Sequence, residues 1–158
     1  MKVILGPVAS GKSTIIAKLA IKNAISGKKV KYYGEFINVD QLKSIINKEA
    51  EAKYNFINNS DLINSNITFD TLWGNGNLFD KIYQTCNEGI YNVIFIDGLL
   101  LTSLQMKDLE LLNVIETHIN TEFYITIQTA RKYLVNRDPS DSKVIRICDW
   151  EEIKKEIS

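Results

Sequence analysis

Gly6 is followed by four residues and then by Gly11-Lys12-Ser13-Thr14, the spacing of a loop that wraps a phosphate chain. A polyanion needs backbone amides turned toward it and no side chain in the way, which the two glycines permit. The loop residues are therefore Gly6, Pro7, Val8, Ala9, Ser10, Gly11, Lys12, Ser13 and Thr14. The N-terminus of a following helix would add partial positive charge. Lys12 is placed to reach the β- and γ-phosphates, and the Ser13 hydroxyl to meet magnesium. Asp97 is the second candidate, closing the apolar run "NVIFID" (92–97). Magnesium keeps several waters and takes one or two carboxylates, so Ser13 and Asp97 form the expected metal pair.

Hydrolysis further needs a group that orients or deprotonates water. Many phosphate-loop enzymes carry a glutamate directly after the strand aspartate, but here that position is Gly98. Glu35, at the end of a second strand, is the candidate instead, and Gln128, ending "FYITIQ" (123–128), could contact the γ-phosphate through its amide. Each has a plainer reading: Glu35 as a surface turn residue, Gln128 as a satisfied turn amide, Asp97 as the start of a turn with Gly98. Lone His118 has no Ser, Cys or metal-spaced partner nearby and reads as a surface residue.

These residues need elements to carry them. "VIL" (3–5) reads as a buried strand, and 12–26 as a helix on Ile15, Ile16, Leu19 and Ala20 that stops before Gly27. "KKVKYYGEF" (28–36) is a second strand, and Asp40 is the expected cap of a helix to Lys53 with Leu42, Ile45 and Ile46 inside. The asparagine-rich 55–66 reads as a loop or a frayed helix and loop, 67–69 as a short strand and "WGNGN" (73–77) as a turn. Residues 78–88 form a helix, as does the segment marked by Leu109, Leu112 and Ile115. "KVIRIC" (143–148) reads as a further strand, before a terminal helix near Asp149. Strands alternating with helices predict a parallel sheet covered on both faces, with ligands at the carboxyl ends of its strands.

The 158 residues suit one domain spanning 1–158, with no linker or repeat. Nineteen basic residues balance nineteen acidic ones, so no global positive field points to nucleic acid. All three arginines, Arg131, Arg137 and Arg146, fall late in the chain, where forked contacts to phosphate would need them. Only Cys86 and Cys148 occur, far apart, which indicates neither a zinc knuckle nor a disulfide framework. With no signal peptide and no long apolar stretch, a cytoplasmic protein without membrane contact is expected.

Together these positions resemble the RecA-like core of DnaB-type replicative helicases. "GPVASGKSTIIAKLAIKNAISGKKVKYYGEF" is similar to that family's loop, helix and second strand ending in a glutamate. "INVDQLKSII", "ITFDT" and "YNVIFIDGLLL" resemble the segments that follow, and "YITIQTAR" its sensor strand, with Gln128 and Arg131 in a Gln-x-x-Arg relation. The resemblance implies a three-layer α/β RecA-like P-loop NTPase with a mostly parallel sheet of about five strands. It implies ATP and Mg2+ as cofactors, and nucleotide roles for Lys12, Ser13, Glu35, Asp97 and Gln128. It also implies a ring or filament of identical chains, with DNA or a protein as partner, and an arginine supplied by a neighbour. Gly34 precedes Glu35, which sits one place early in the simplest alignment, and the family's primase-binding domain and late hairpin are not expected within these residues. "VILGPVASGKST" also resembles type II thymidine kinases, but "IDGLLL" replaces their acidic signature and their zinc cysteines have no counterpart. A nucleoside kinase and a nucleotide-dependent binding module without turnover therefore stand as alternatives to an ATPase that works on DNA or a partner.

Overall fold

The computed structural model describes residues 1–35, 38–72, 78–100, 103–128 and 145–157. In chain order the elements are β1 (Lys2–Gly6), α1 (Lys12–Ile25), β2 (Val30–Gly34), α2 (Val39–Lys53), α3 (Phe56–Asn66) and β3 (Ile67–Thr71). They continue with α4 (Leu78–Asn87), β4 (Val93–Leu100), α5 (Ser103–Glu116), β5 (Glu122–Gln128), β6 (Arg146–Asp149) and α6 (Trp150–Ile157). The strands form one sheet in the order β3-β2-β4-β5-β1-β6. The first five are parallel, and β6 closes the edge antiparallel to β1. The sheet thus has six strands where about five were expected.

Two apolar cores lie on its two faces. Ile16, Ala20, Ile21 and Ala24 of α1, Leu42 and Ile46 of α2 and Ile63 of α3 cover Ile4, Tyr32, Val93 and Phe95. Ile82 of α4, Leu109 and Leu112 of α5 and Trp150 and Ile153 of α6 cover Val3, Leu5, Ile94, Ile96 and Phe123. Strands buried on both faces must be apolar at successive positions, which is why β1 and β4 are unbroken hydrophobic runs. Gly27, in a left-handed conformation at φ 85, ends α1 as expected. Its N–H donates to the Ala24 carbonyl and that of Lys28 to the Asn23 carbonyl, a paired closure that satisfies the helix's last acceptors.

Four local expectations are corrected. The cap of α2 is Asn38, not Asp40: its side chain accepts from the Gln41 N–H at 2.9 Å while the Gln41 side chain accepts from the Asn38 N–H at 3.2 Å. This reciprocal pair satisfies two orphan donors, leaving Asp40 in the first turn as a dipole partner. Residues 56–66 form a helix despite their asparagines, because Ile63 seats in the core and the Asn66 amide donates to the Ala24 carbonyl at 2.9 Å. β4 does not end at Asp97 but runs on to Leu100. The last strand covers 146–149 rather than 143–148. The predicted turn at 73–77, together with Arg131 and Arg137, lies outside the described residues.

Candidate nucleotide site at the carboxyl edge of the sheet

The loop 7–11 joins β1 to α1 directly. Ala9 and Gly11 take left-handed backbone at φ 58 and φ 94, which turns the chain sharply into the helix. A Cβ on Gly6 would lie 2.5 Å from the Ser10 hydroxyl oxygen, so the loop folds back over a bare Cα. Gly11 occupies the N-cap of α1 without a side-chain hydrogen bond, and the first turn holds no acidic residue. The amides that open α1 therefore meet no capping side chain. A helix start arranged in this way suits an anion.

Lys12 is folded into this loop. Its ammonium donates to the carbonyls of Gly6 at 2.9 Å and Pro7 at 2.6 Å, and more distantly to Ser10 Oγ at 3.4 Å. Burial lowers its pKa below the ordinary lysine value, and the negative charge of Asp97 partly offsets that. Lysine and aspartate thus share one side of the sheet. Alternation along β4 agrees: Val93 and Phe95 enter the core beneath α1, Ile94 and Ile96 the opposite one, so Asp97 falls on the α1 side.

Asp97 is 1% exposed, yet no cation contacts it directly among the described hydrogen bonds. Its carboxylate accepts from the Tyr32 hydroxyl at 3.1 Å on one oxygen and from the Thr126 hydroxyl at 2.5 Å on the other. Thr126 Oγ1 in turn accepts from the Gly98 N–H at 2.8 Å. That last contact exists because β4 is bulged. Ile96 pairs with Ile125 and Leu99 with Ile127, so Asp97 and Gly98 together face Thr126. The extra residue needs a left-handed conformation, met by Gly98 at φ 94, and it returns Leu99 to the core beneath α4–α6, where it is 1% exposed. The geometry accounts for a glycine where other phosphate-loop enzymes place an acid: a side chain at that φ is strained.

Glu35 is half-buried and begins just past β2, its N–H donating to the Asp97 carbonyl at 2.9 Å. The pairing sets Gly34 opposite Asp97 on one side and opposite Thr71 on the other. Gln128 ends β5 directly opposite Gly6, and it is exposed. Since β5 lies between β1 and β4, Gln128 stands between the loop and the aspartate along the sheet edge. Ser13 and Thr14 are partly buried in the first turn of α1. Loop, lysine, Asp97, Glu35 and Gln128 therefore share one edge of the sheet. Arg146 does not join them; it lies opposite Leu5 and is 3.9 Å from Glu152. His118 sits exposed at the end of α5, with Nδ1 2.9 Å from Thr117 Oγ1 and from the Val114 carbonyl. Among the described residues, no group of His, Cys, Asp or Glu could by itself hold a metal ion, and no helix is long and apolar enough to cross a membrane.

Tyr32 and Thr126 were not among the residues singled out from sequence. The available signal was Thr126 itself, a hydroxyl inside the apolar run "FYITIQ" on the same face as Gln128.

This architecture is the RecA-like P-loop ATPase fold, with an added strand between the loop strand and the aspartate strand. Two solved structures are similar to it. The ATPase domain of a helicase superimposes with a TM-score of 0.59 at 15% identity, covering 89% of this chain and 62% of that one. The flagellar accessory protein FlaH from Methanocaldococcus jannaschii gives a TM-score of 0.54 at 14% identity, covering 80% of this chain and 59% of that one. The chain thus spans about three fifths of each of these neighbours. No family model matches the sequence. No curated protein matches it either.

Proposed function

We propose that this chain is an ATPase that binds ATP with Mg2+ and couples its hydrolysis to DNA replication or translocation, or to work on a partner protein. The observation that carries the reading is the placement of Lys12 and the buried Asp97 on one face of the sheet, beneath the start of α1. The residues fit the cofactors. The bare Cα of Gly6 and the uncapped helix start suit a phosphate chain, and Asp97 meets only neutral donors among the described residues, which leaves its negative charge for a cation.

In this reading residues 6–14 hold the phosphates, and Lys12 exchanges its carbonyl contacts for phosphate oxygens. Ser13 and Asp97 hold magnesium, directly or through water; bound there, it would neutralise charge developing on the transferred phosphoryl group. Glu35 orients the attacking water, and Gln128, between the two halves of the site, contacts the γ-phosphate. Such sites often work between subunits, and a ring or filament in which a neighbour donates an arginine extends the proposal to an oligomer. The two neighbours in fold, one of them an ATPase domain, support the class.

A turnover assay with ATP and with GTP, with and without single-stranded DNA and thymidine, tests this. ATP hydrolysis stimulated by DNA supports the reading, and a specific activity that rises with protein concentration supports the shared site. Phosphate transfer to thymidine would replace it with a nucleoside kinase. Tight binding without turnover would reduce the chain to a nucleotide-dependent binding module.

A further inference from the structure

We propose that Thr126 and Tyr32 are positioning residues that hold Asp97 in the one orientation suited to a nucleotide-bound cation, and that Thr126 ties this carboxylate to the strand bearing Gln128. The inference rests on the nucleotide reading above and adds to it two residues that touch neither phosphate nor metal.

A hydroxyl has one proton to donate and two lone pairs to accept with. Thr126 Oγ1 accepts from the Gly98 N–H at 2.8 Å and lies 2.5 Å from Asp97 Oδ1, an oxygen that can only accept when ionised. The Gly98 contact consumes a lone pair, so the Thr126 proton is committed to Asp97. Tyr32 serves the other oxygen in the same sense, at 3.1 Å. Tyr32 and Thr126 are 1% and 0% exposed, so water does not compete for either proton. Burial and the Asp97 charge also hold the Tyr32 proton in place, raising its pKa well above the tyrosine value.

Each carboxylate oxygen therefore has one neutral donor and keeps acceptor capacity to spare. A lysine or arginine in either place would fix the rotamer but cancel the charge a cation needs. Two hydroxyls fix the rotamer and leave the charge. The β4 bulge belongs to the same device, since it presents Asp97 and the Gly98 N–H together to Thr126. Two residues further along β5 on the same face is Gln128. A displacement of the carboxylate is thereby coupled to the strand end on which Gln128 stands.

The test measures binding rather than turnover, with the full chain and a fluorescent ATP analogue titrated in EDTA and again with Mg2+ or Mn2+. The ratio of the two affinities reports the metal's contribution. Thr126→Val keeps the shape and removes the hydroxyl; it should leave affinity in EDTA unchanged and reduce the metal-dependent gain by about tenfold or more, as for partners of metal ligands elsewhere. Thr126→Ser restores the proton and should restore the gain. Tyr32→Phe should lose part of it, and it carries the test alone if Thr126→Val does not fold. A wild-type metal gain that persists undiminished in the folded variants overturns the positioning role, as does a Thr126→Ser chain no better than Thr126→Val. A wild-type chain whose binding ignores the metal overturns the nucleotide reading itself, and this inference with it.

Discussion

Replacing Gly6 with alanine probes the closeness of the loop to its own strand. The added methyl would sit 2.5 Å from Ser10 Oγ, about 0.9 Å inside ordinary contact, with Lys12 Cγ and Cδ at 3.3 and 3.4 Å. Ser10 is 7% exposed and also receives the long contact from Lys12, so its hydroxyl has little room to swing away. Overpacking of this kind costs about 1–3 kcal/mol. In a domain of this size that lowers Tm by roughly 3–8 °C. Ser10→Ala removes the nearest atom and, on its own, only a weak hydrogen bond, at less than about 1 kcal/mol. In the double variant Gly6→Ala should therefore cost at least about 1 kcal/mol less than it does alone, a coupling well above the additivity error for distant sites. Urea and thermal unfolding of the four chains measure it. Should Gly6→Ala prove equally costly whether or not Ser10 has been replaced, the clash is not its cause and the account of the folded-back loop is wrong.

Three further outcomes are expected. Glu35→Gln should keep nucleotide affinity within about threefold and lower turnover by about 10²–10⁴-fold if Glu35 places the water, as equilibrium binding and single-turnover kinetics would show. Tyr33 is buried, which raises its hydroxyl pKa to about 12, although the contact with Thr85 pulls the other way. The folded chain then holds this proton more tightly than the unfolded one. Its contribution is complete below about pH 10 and drains away as pH rises toward the folded value, by at most about 2–3 kcal/mol. Tyr33→Phe should flatten that alkaline loss, which urea midpoints at pH 9, 10 and 11 would register. Asn38→Ala should cost about 1 kcal/mol through the lost α2 cap, and Asp40→Ala less than that, in the same unfolding assay.

How far the sequence could be read depended on whether a residue's role is local. The loop was legible because its glycines and lysine act within one strand–turn–helix unit. β1, β4 and β5 were legible because burial on both faces demands apolar residues throughout. α3 was not, since FINNSDLINSN has weak helical preference and is held by Ile63 in the core and by Asn66 on α1, contacts made between elements. The α2 cap was within reach, because Asn38 and Gln41 carry the required spacing, but Asp40 lay nearer the apolar positions. The direction of β6 and the bulge at Asp97–Gly98 depend on strand pairing, which residue types alone do not report. Tyr32 and Thr126 follow from that pairing: neither differs in type from an ordinary strand residue until the bulge sets it against the carboxylate.

The sheet's carboxyl edge is stitched across four neighbouring strands. The Leu72 N–H reaches the Gly34 carbonyl, that of Glu35 the Asp97 carbonyl, and that of Gly98 the Thr126 hydroxyl. Each tie sits at or just beyond the point where a strand meets the rim, so four segments that would otherwise fray separately behave as a single ledge. Such a ledge makes a poor hinge and a good anvil. Whatever closes over a ligand here must do so from the helix side, and amide protons along the ledge should exchange slowly whether or not the site is filled.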